Sequence, residues 1–251
     1  MSGHSKWATI KHQKGETDQK RGQVFTKLAQ FITLAVLQGG GSGNPLDNFK
    51  LRLAVEKAKQ ANMPKDNIER AISRALENKG IQSLEEVFYE GYGPMGIAVV
   101  VSAATDNHAR TFSEVKSTFD KNGGNLAGQG AVSYMFEHKG VLQVSLSGKS
   151  KEDIELIAID SGCDDVEETN DSILIYTKPN ELMSIKKHLE ESGLTVLDAE
   201  LTMKPTTTVH ITDVAIASRI LAFIDLLENT TDVQAVYSNF DIPEKILSQI
   251  S

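Results

Sequence analysis

With 251 residues, 40% of them hydrophobic and 24% charged, the chain has the composition of a globular protein, and its formal net charge is −8. Its single cysteine, Cys163, excludes an intrachain disulfide, a four-cysteine zinc site and CxxC redox chemistry. No apolar run approaches the roughly 20 residues of a membrane helix, and the charged opening lacks a signal peptide's apolar stretch, so the expected location is cytoplasmic with no membrane partner. The charge is unevenly spread: residues 1–79 hold 14 Lys and Arg against 7 Asp and Glu, net +7, and the rest hold 12 against 27, net −15. Such asymmetry points to a nucleic-acid-facing module joined to an acidic body, or to two parts that attract each other within or between molecules.

The chain opens on "GHSKWATIKHQKGETDQKRGQVFTK" (3–27), which carries His4, Lys6, Trp7, Lys11, His12, Lys14, Lys20, Arg21 and Lys27 against only Glu16 and Asp18. These are the candidate nucleic-acid contacts. The cationic groups would meet phosphates, the histidines would donate to phosphate or base, and Trp7 would stack on a base. A Trp7 anchored in the core is the competing reading. His4 and His12 lack further ligands at metal-site spacing, so no metal is expected.

Helical periodicity follows. Val24, Leu28, Phe31, Ile32 and Ala35 share a face until Gly39-Gly40-Gly41. The spacing predicts a second helix over 46–62 with Leu46, Phe49, Leu53, Ala54 and Ala61 inward. A third has Pro64 as an early residue, Ile68, Ala71, Ile72, Ala75 and Leu76 as its stripe, and Gly80 as its stop. The three would form a small bundle.

After Gly80 the period changes. "GYGPMG" (91–96) matches G-x-G-x-x-G, but it precedes the apolar strand "GIAVVVSAAT" (96–105) and Pro94 has no amide proton. It reads as a turn, and no nucleotide cofactor is expected. "NHARTFSEVKSTFDKNGG" (107–124) is a helix with Phe112, Val115 and Phe119 at helical spacing. At its start His108 and Arg110 are a candidate anion contact. "AVSYMFEH" (131–138) reads as a strand. Then "GVLQVSL", "SKEDIELIAIDSG", "DDVEET", "SILIYT", "NELMSIKKHLEESG" and "TVLDAELTM" follow as strand, helix, strand, strand, helix, strand, the ferredoxin-like order. A short strand at 206–211, helix 213–229 and strand 232–239 come last, and with the elements before the insertion would make a second ferredoxin-like copy.

The expected fold class is α+β and multidomain. A basic arm plus helical domain covers 1–80, a discontinuous α/β domain covers 81–138 and 206–251, and a ferredoxin-like domain is inserted at 139–205. The pairs Asp164–Asp165 and Glu167–Glu168 make an acidic edge with nothing nearby to form a pocket. No Ser-His-Asp or HExxH pattern occurs, so no enzyme is expected.

The opening stretch closely resembles the start of the YebC/PmpR family, whose members begin with a GHSKW segment followed by a KR-G-x-x-F-T-K helix. The match continues through "NMPKDNIERAI", "YEGYGP", "TDN..RT..EV", "VSY.F" and "DLLENTTDVQAVYSN" and covers essentially the full chain. The resemblance implies a helical domain followed by two α/β domains, with no known reaction or required cofactor. Members are described as DNA-binding transcriptional regulators. Others look like translation factors at stalled ribosomes, and mitochondrial relatives act as translational activators. The expected partner is therefore DNA, with ribosomal RNA on the ribosome as the alternative and a protein–protein adaptor as the third reading.

Overall fold

The computed structural model describes residues 18–77, 84–146, 148–169 and 171–250, without the side chains of residues 18–20. Helices α1 (Asp18–Gln38), α2 (Phe49–Gln60) and α3 (Lys65–Leu76) form a bundle. Leu28, Ile32, Ala35 and Val36 of α1 meet Leu51, Ala54 and Ala58 of α2 and Ile68, Ala71 and Ala75 of α3 in one core.

The link between α1 and α2 explains two misplaced residues. Asn48 caps α2 through its Oδ1, which accepts from the Leu51 N–H at 3.1 Å, while its Nδ2 donates to the Ala35 carbonyl at 2.7 Å. A Cβ on Gly39 would lie 1.9 Å from that Nδ2, so only glycine admits the cap. Because α2 starts after Asn48, Leu46 stays on the linker, 79% exposed, and Phe49 in the first turn is also exposed. Both were expected inward, as was Leu76, which is exposed at the end of α3. Pro64 is the cap of α3, one residue ahead of its first turn.

Two four-stranded sheets follow. The inserted one is built from β4 (Phe136–Ser145), α5 (Lys151–Asp160), β5 (Asp165–Glu168), β6 (Ser172–Thr177), α6 (Leu182–Glu191) and β7 (Val196–Pro205), in the strand order β5-β6-β4-β7. Residues Phe136–Lys204 make one compact unit, and the helical domain with the outer sheet makes the other. The outer sheet contains β1 (Glu85–Tyr92), β2 (Ala98–Thr105), β3 (Asn125–Ala127) and β9 (Val233–Ser238), in the order β3-β1-β2-β9. Helices α4 (His108–Lys121) and α7 (Val214–Glu228) pack on it through a core containing Val99, Val101, Val115, Phe119, Phe223 and Ile224.

The two sheets share one spatial plan. In the inserted sheet, β4 crosses by a helix to β5 and leaves room for β6 between them. In the outer sheet, β2 crosses by α4 to β3, and the strand between is β1, which precedes β2 in the chain and pairs antiparallel with both. Sequence reading missed β1 because "EEVFYEGY" is acidic and lacks an apolar run. It put a strand at 131–138 instead. There, residues Ser133–Met135 form a 3-10 turn, and the strand beginning at Phe136 runs unbroken through the region expected to start a new one. The amides of Val132 and Ser133 cannot join a ladder because they donate to Glu90. Strand β8 (Val209–His210) pairs with β10 (Phe240–Asp241), and helix α8 (Glu244–Ile250) follows.

Candidate nucleic-acid interface

His4, Lys6, Trp7, Lys11, His12 and Lys14 lie outside the described residues, and Lys20 is placed by its backbone alone. Arg21 is exposed in the first turn of α1. Lys27 has another occupation. It is half-buried, and its ammonium donates to the carbonyls of Glu228 and, at 2.8 Å, of Val233. Glu228 is the last residue of α7, so the cation sits at the negative end of that helix and ties the bundle to the outer sheet. Gln30 supports the same junction by accepting from Gln234 Nε2 at 3.0 Å. Lys27→Met keeps the aliphatic stem and removes the charge. It should cost about 1–2 kcal/mol of stability and leave nucleic-acid affinity unchanged, as thermal unfolding and an oligonucleotide titration would show.

Other cations of the bundle are also engaged. Lys50 donates to Gln38 Oε1 at 2.7 Å, and Arg52 donates to the carbonyls of Pro45 and Leu46, each at 2.9 Å. Lys65 pairs with Glu69 at 3.3 Å. Lys59, Arg70 and Arg74 are exposed and have no polar partner among the described residues. Arg70 and Arg74 stand one turn apart on α3, which makes them the cations of the bundle best placed for an outside anion.

The helix start at His108 and Arg110 already holds an anion, and it is the chain's own. Asp232, only 3% exposed, accepts from Arg110 Nη2 at 2.7 Å, Thr111 Oγ1 at 2.6 Å and Thr105 Oγ1 at 3.2 Å. Burial pushes its carboxyl up, but hydrogen bonds from Thr111 and Arg110 outweigh that and hold it below the usual carboxylate range. Arg110 also reaches Asp106 at 3.0 Å, and His108 Nε2 lies 2.9 Å from Glu85. Asn107 Oδ1 caps the helix by accepting from the Arg110 N–H. The segments "TDNHART" and "TTD", whose Thr111 and Asp232 are 121 residues apart, are thus the two halves of one buried polar network, which no local pattern reveals.

Glu90 is the second residue that sequence reasoning missed. It is 4% exposed and accepts from the N–H groups of Gly130, Val132 and Ser133 at 2.8, 2.9 and 2.8 Å. Desolvation alone would raise its carboxyl, yet these backbone donors hold it low. The acidic edge of the inserted sheet is largely neutralised. Asp164 pairs with Lys139 at 2.8 Å, Asp165 and Glu167 with Lys204 at 2.5 and 2.9 Å, and Glu168 with Lys151 at 2.6 Å. Among the described residues no three His, Cys, Asp or Glu side chains group as metal ligands, and no helix is long and apolar enough to cross a membrane.

Comparison with known proteins matches this architecture part by part. Residues 5–78 match a family profile described as the TACO1/YebC protein N-terminal domain, and residues 84–240 match the TACO1/YebC second and third domain. A protein of Persephonella marina, named a probable transcriptional regulatory protein, is 47% identical over 253 residues, covering 100% of both chains. One of Chloroflexus aurantiacus with the same name is 48% identical over 251 residues, covering 99% of each. The crystal structure of a conserved hypothetical protein from Aquifex aeolicus superposes with a TM-score of 0.86 at 45% identity, covering 96% of this chain and 98% of that one. With both profiles matched in order and near-complete relatives at such identity, the chain belongs to the TACO1/YebC family.

Proposed function

We propose that this protein is a non-enzymatic regulator of gene expression that binds nucleic acid through its N-terminal part, with DNA as the target. The observation that carries this is the segregation of charge, net +7 in residues 1–79 against −15 in the remainder. The names of the relatives as probable transcriptional regulatory proteins support the regulatory half of the statement. In this reading Lys6, Lys11, Lys14, Lys20 and Arg21 meet phosphates, with His4 and His12 as hydrogen-bond donors, and Trp7 stacks on a base. Lys27, Arg110 and His108 are left out because each already has a protein partner.

Action on ribosomal RNA is the second reading, because the charge segregation that supports a DNA target suits RNA phosphates as well.

The test is crosslinking in cells followed by sequencing of both bound DNA and bound RNA, joined to a salt titration in vitro. Changing Lys6, Lys11, Lys14, Lys20 and Arg21 to Gln should flatten the dependence of log affinity on log salt by about 0.9 per duplex phosphate lost. Trp7 is the only tryptophan, so quenching of its emission reports the arm directly. Unchanged affinity and slope in the Gln variant would remove this reading.

A further inference from the structure

The outer α/β domain is acidic. Residues 84–135 and 205–250 hold five Lys and Arg against twelve Asp and Glu. Arg110 is paired with Asp106 and Asp232, and Lys116 with Asp120 at 2.8 Å. That leaves Lys121, Arg219 and, in α8, Lys245 without a carboxylate partner among the described residues.

The fold brings Arg219 against the chain just after Lys121. Arg219 Nη2 donates to the carbonyl of Asn122, the residue after Lys121, at 3.2 Å, and both cations are exposed. The chain then passes hard against the Gly93–Gly96 turn. A Cβ on Gly124 would stand 2.7 Å from the Tyr92 carbonyl oxygen and 3.2 Å from Gly93 Cα. At the tip of that turn is Met95, 64% exposed and held in the left-handed region at φ 61°, ψ 17°. Few bulky residues adopt this conformation, and a strained, exposed apolar side chain contributes nothing to the core. The turn is fixed on both sides by buried Pro94 and by the Gly93 N–H donating to the Ile97 carbonyl at 2.8 Å.

We propose that this end of the outer domain is a second nucleic-acid contact, for a single strand, in which Lys121 and Arg219 hold phosphates and Met95 packs against an unstacked base. Single strands are gripped by cations along the backbone together with side chains that pack on base faces, and Met is among the apolar side chains that wedge between base steps in duplex DNA. A turn fixed beforehand loses little freedom on binding. The inference rests on the nucleic-acid reading above but concerns a separate surface.

The experiment uses the full chain and fluorescein-labelled single-stranded RNA and DNA oligonucleotides of mixed sequence. Met95→Gly is the informative variant, because glycine takes a positive φ without strain. Its melting temperature should stay or rise while affinity for the single strand falls about fivefold or more. Arg219→Gln and Lys121→Gln should each lower affinity and reduce the salt slope by about one. Wild-type affinity in all three variants overturns the proposal, and so does a loss that merely tracks a loss of folded protein. Failure of the unaltered chain to bind either oligonucleotide would remove the underlying reading and this proposal with it.

Discussion

Replacing Asp232 by Asn should lower the main thermal unfolding transition by about 6–12 °C. The carboxylate is 3% exposed and receives hydrogen bonds from Thr105, Arg110 and Thr111. Breaking one side of a buried charged network costs about 3 kcal/mol, and each kcal/mol moves the midpoint of a domain this size by about 2–4 °C. Asn keeps the shape but loses the charge and turns an amide donor toward groups that themselves donate. The control is Asp106→Asn, which removes the other, exposed carboxylate of the same arginine and should change stability by less than about 0.5 kcal/mol. The pH dependence has a definite sign. The folded carboxyl of Asp232 is depressed, so its stabilisation is fully present above the unfolded value of about 4 and fades as pH falls further toward the folded value. The wild type should therefore lose stability below about pH 4, and the Asn variant should lose less over the same range. Equal acid sensitivity in the two proteins would contradict this account.

Glu90→Gln should loosen one loop more than the whole molecule. The carboxylate of Glu90 receives three backbone N–H groups, from Gly130, Val132 and Ser133. Charge-assisted bonds of this kind are roughly twice as strong as neutral ones, and leaving buried donors unmet costs about 1–3 kcal/mol each. The amide of Gln offers one oxygen where the carboxylate offered two, and its NH2 faces donors. The expected loss is about 2–4 kcal/mol in local opening, read as faster hydrogen exchange at those three amides. Tyr92 donates to the Ala131 carbonyl at 3.2 Å and holds the same loop, so the double change with Tyr92→Phe should open it further. Exchange at β2 should change less, because that strand sits in the outer core. Unchanged protection at Gly130 and Val132 would show that Glu90 does not order the loop.

Much of the fold was determined by local sequence. The stripe Leu28, Ile32 and Ala35, the glycines after Gln38, the apolar run of β2 and the alternating order of the inserted domain each state their structure through periodicity and breakers. The basic opening against an acidic remainder is equally a property of composition. Tertiary structure decided the rest. β1 is a central strand because it fills the gap between β2 and β3, a position its own acidic sequence does not encode. Lys27 is indistinguishable in sequence from the lysines before it, yet the end of α7, some 200 residues later, supplies the carbonyls that take its charge. Arg110 and His108 read as an open anion site until Asp232 and Glu85 arrive from distant strands and loops. In each case the sequence sets which groups carry charge, while pairing is a matter of distance, and distances between remote segments exist only once the chain has folded.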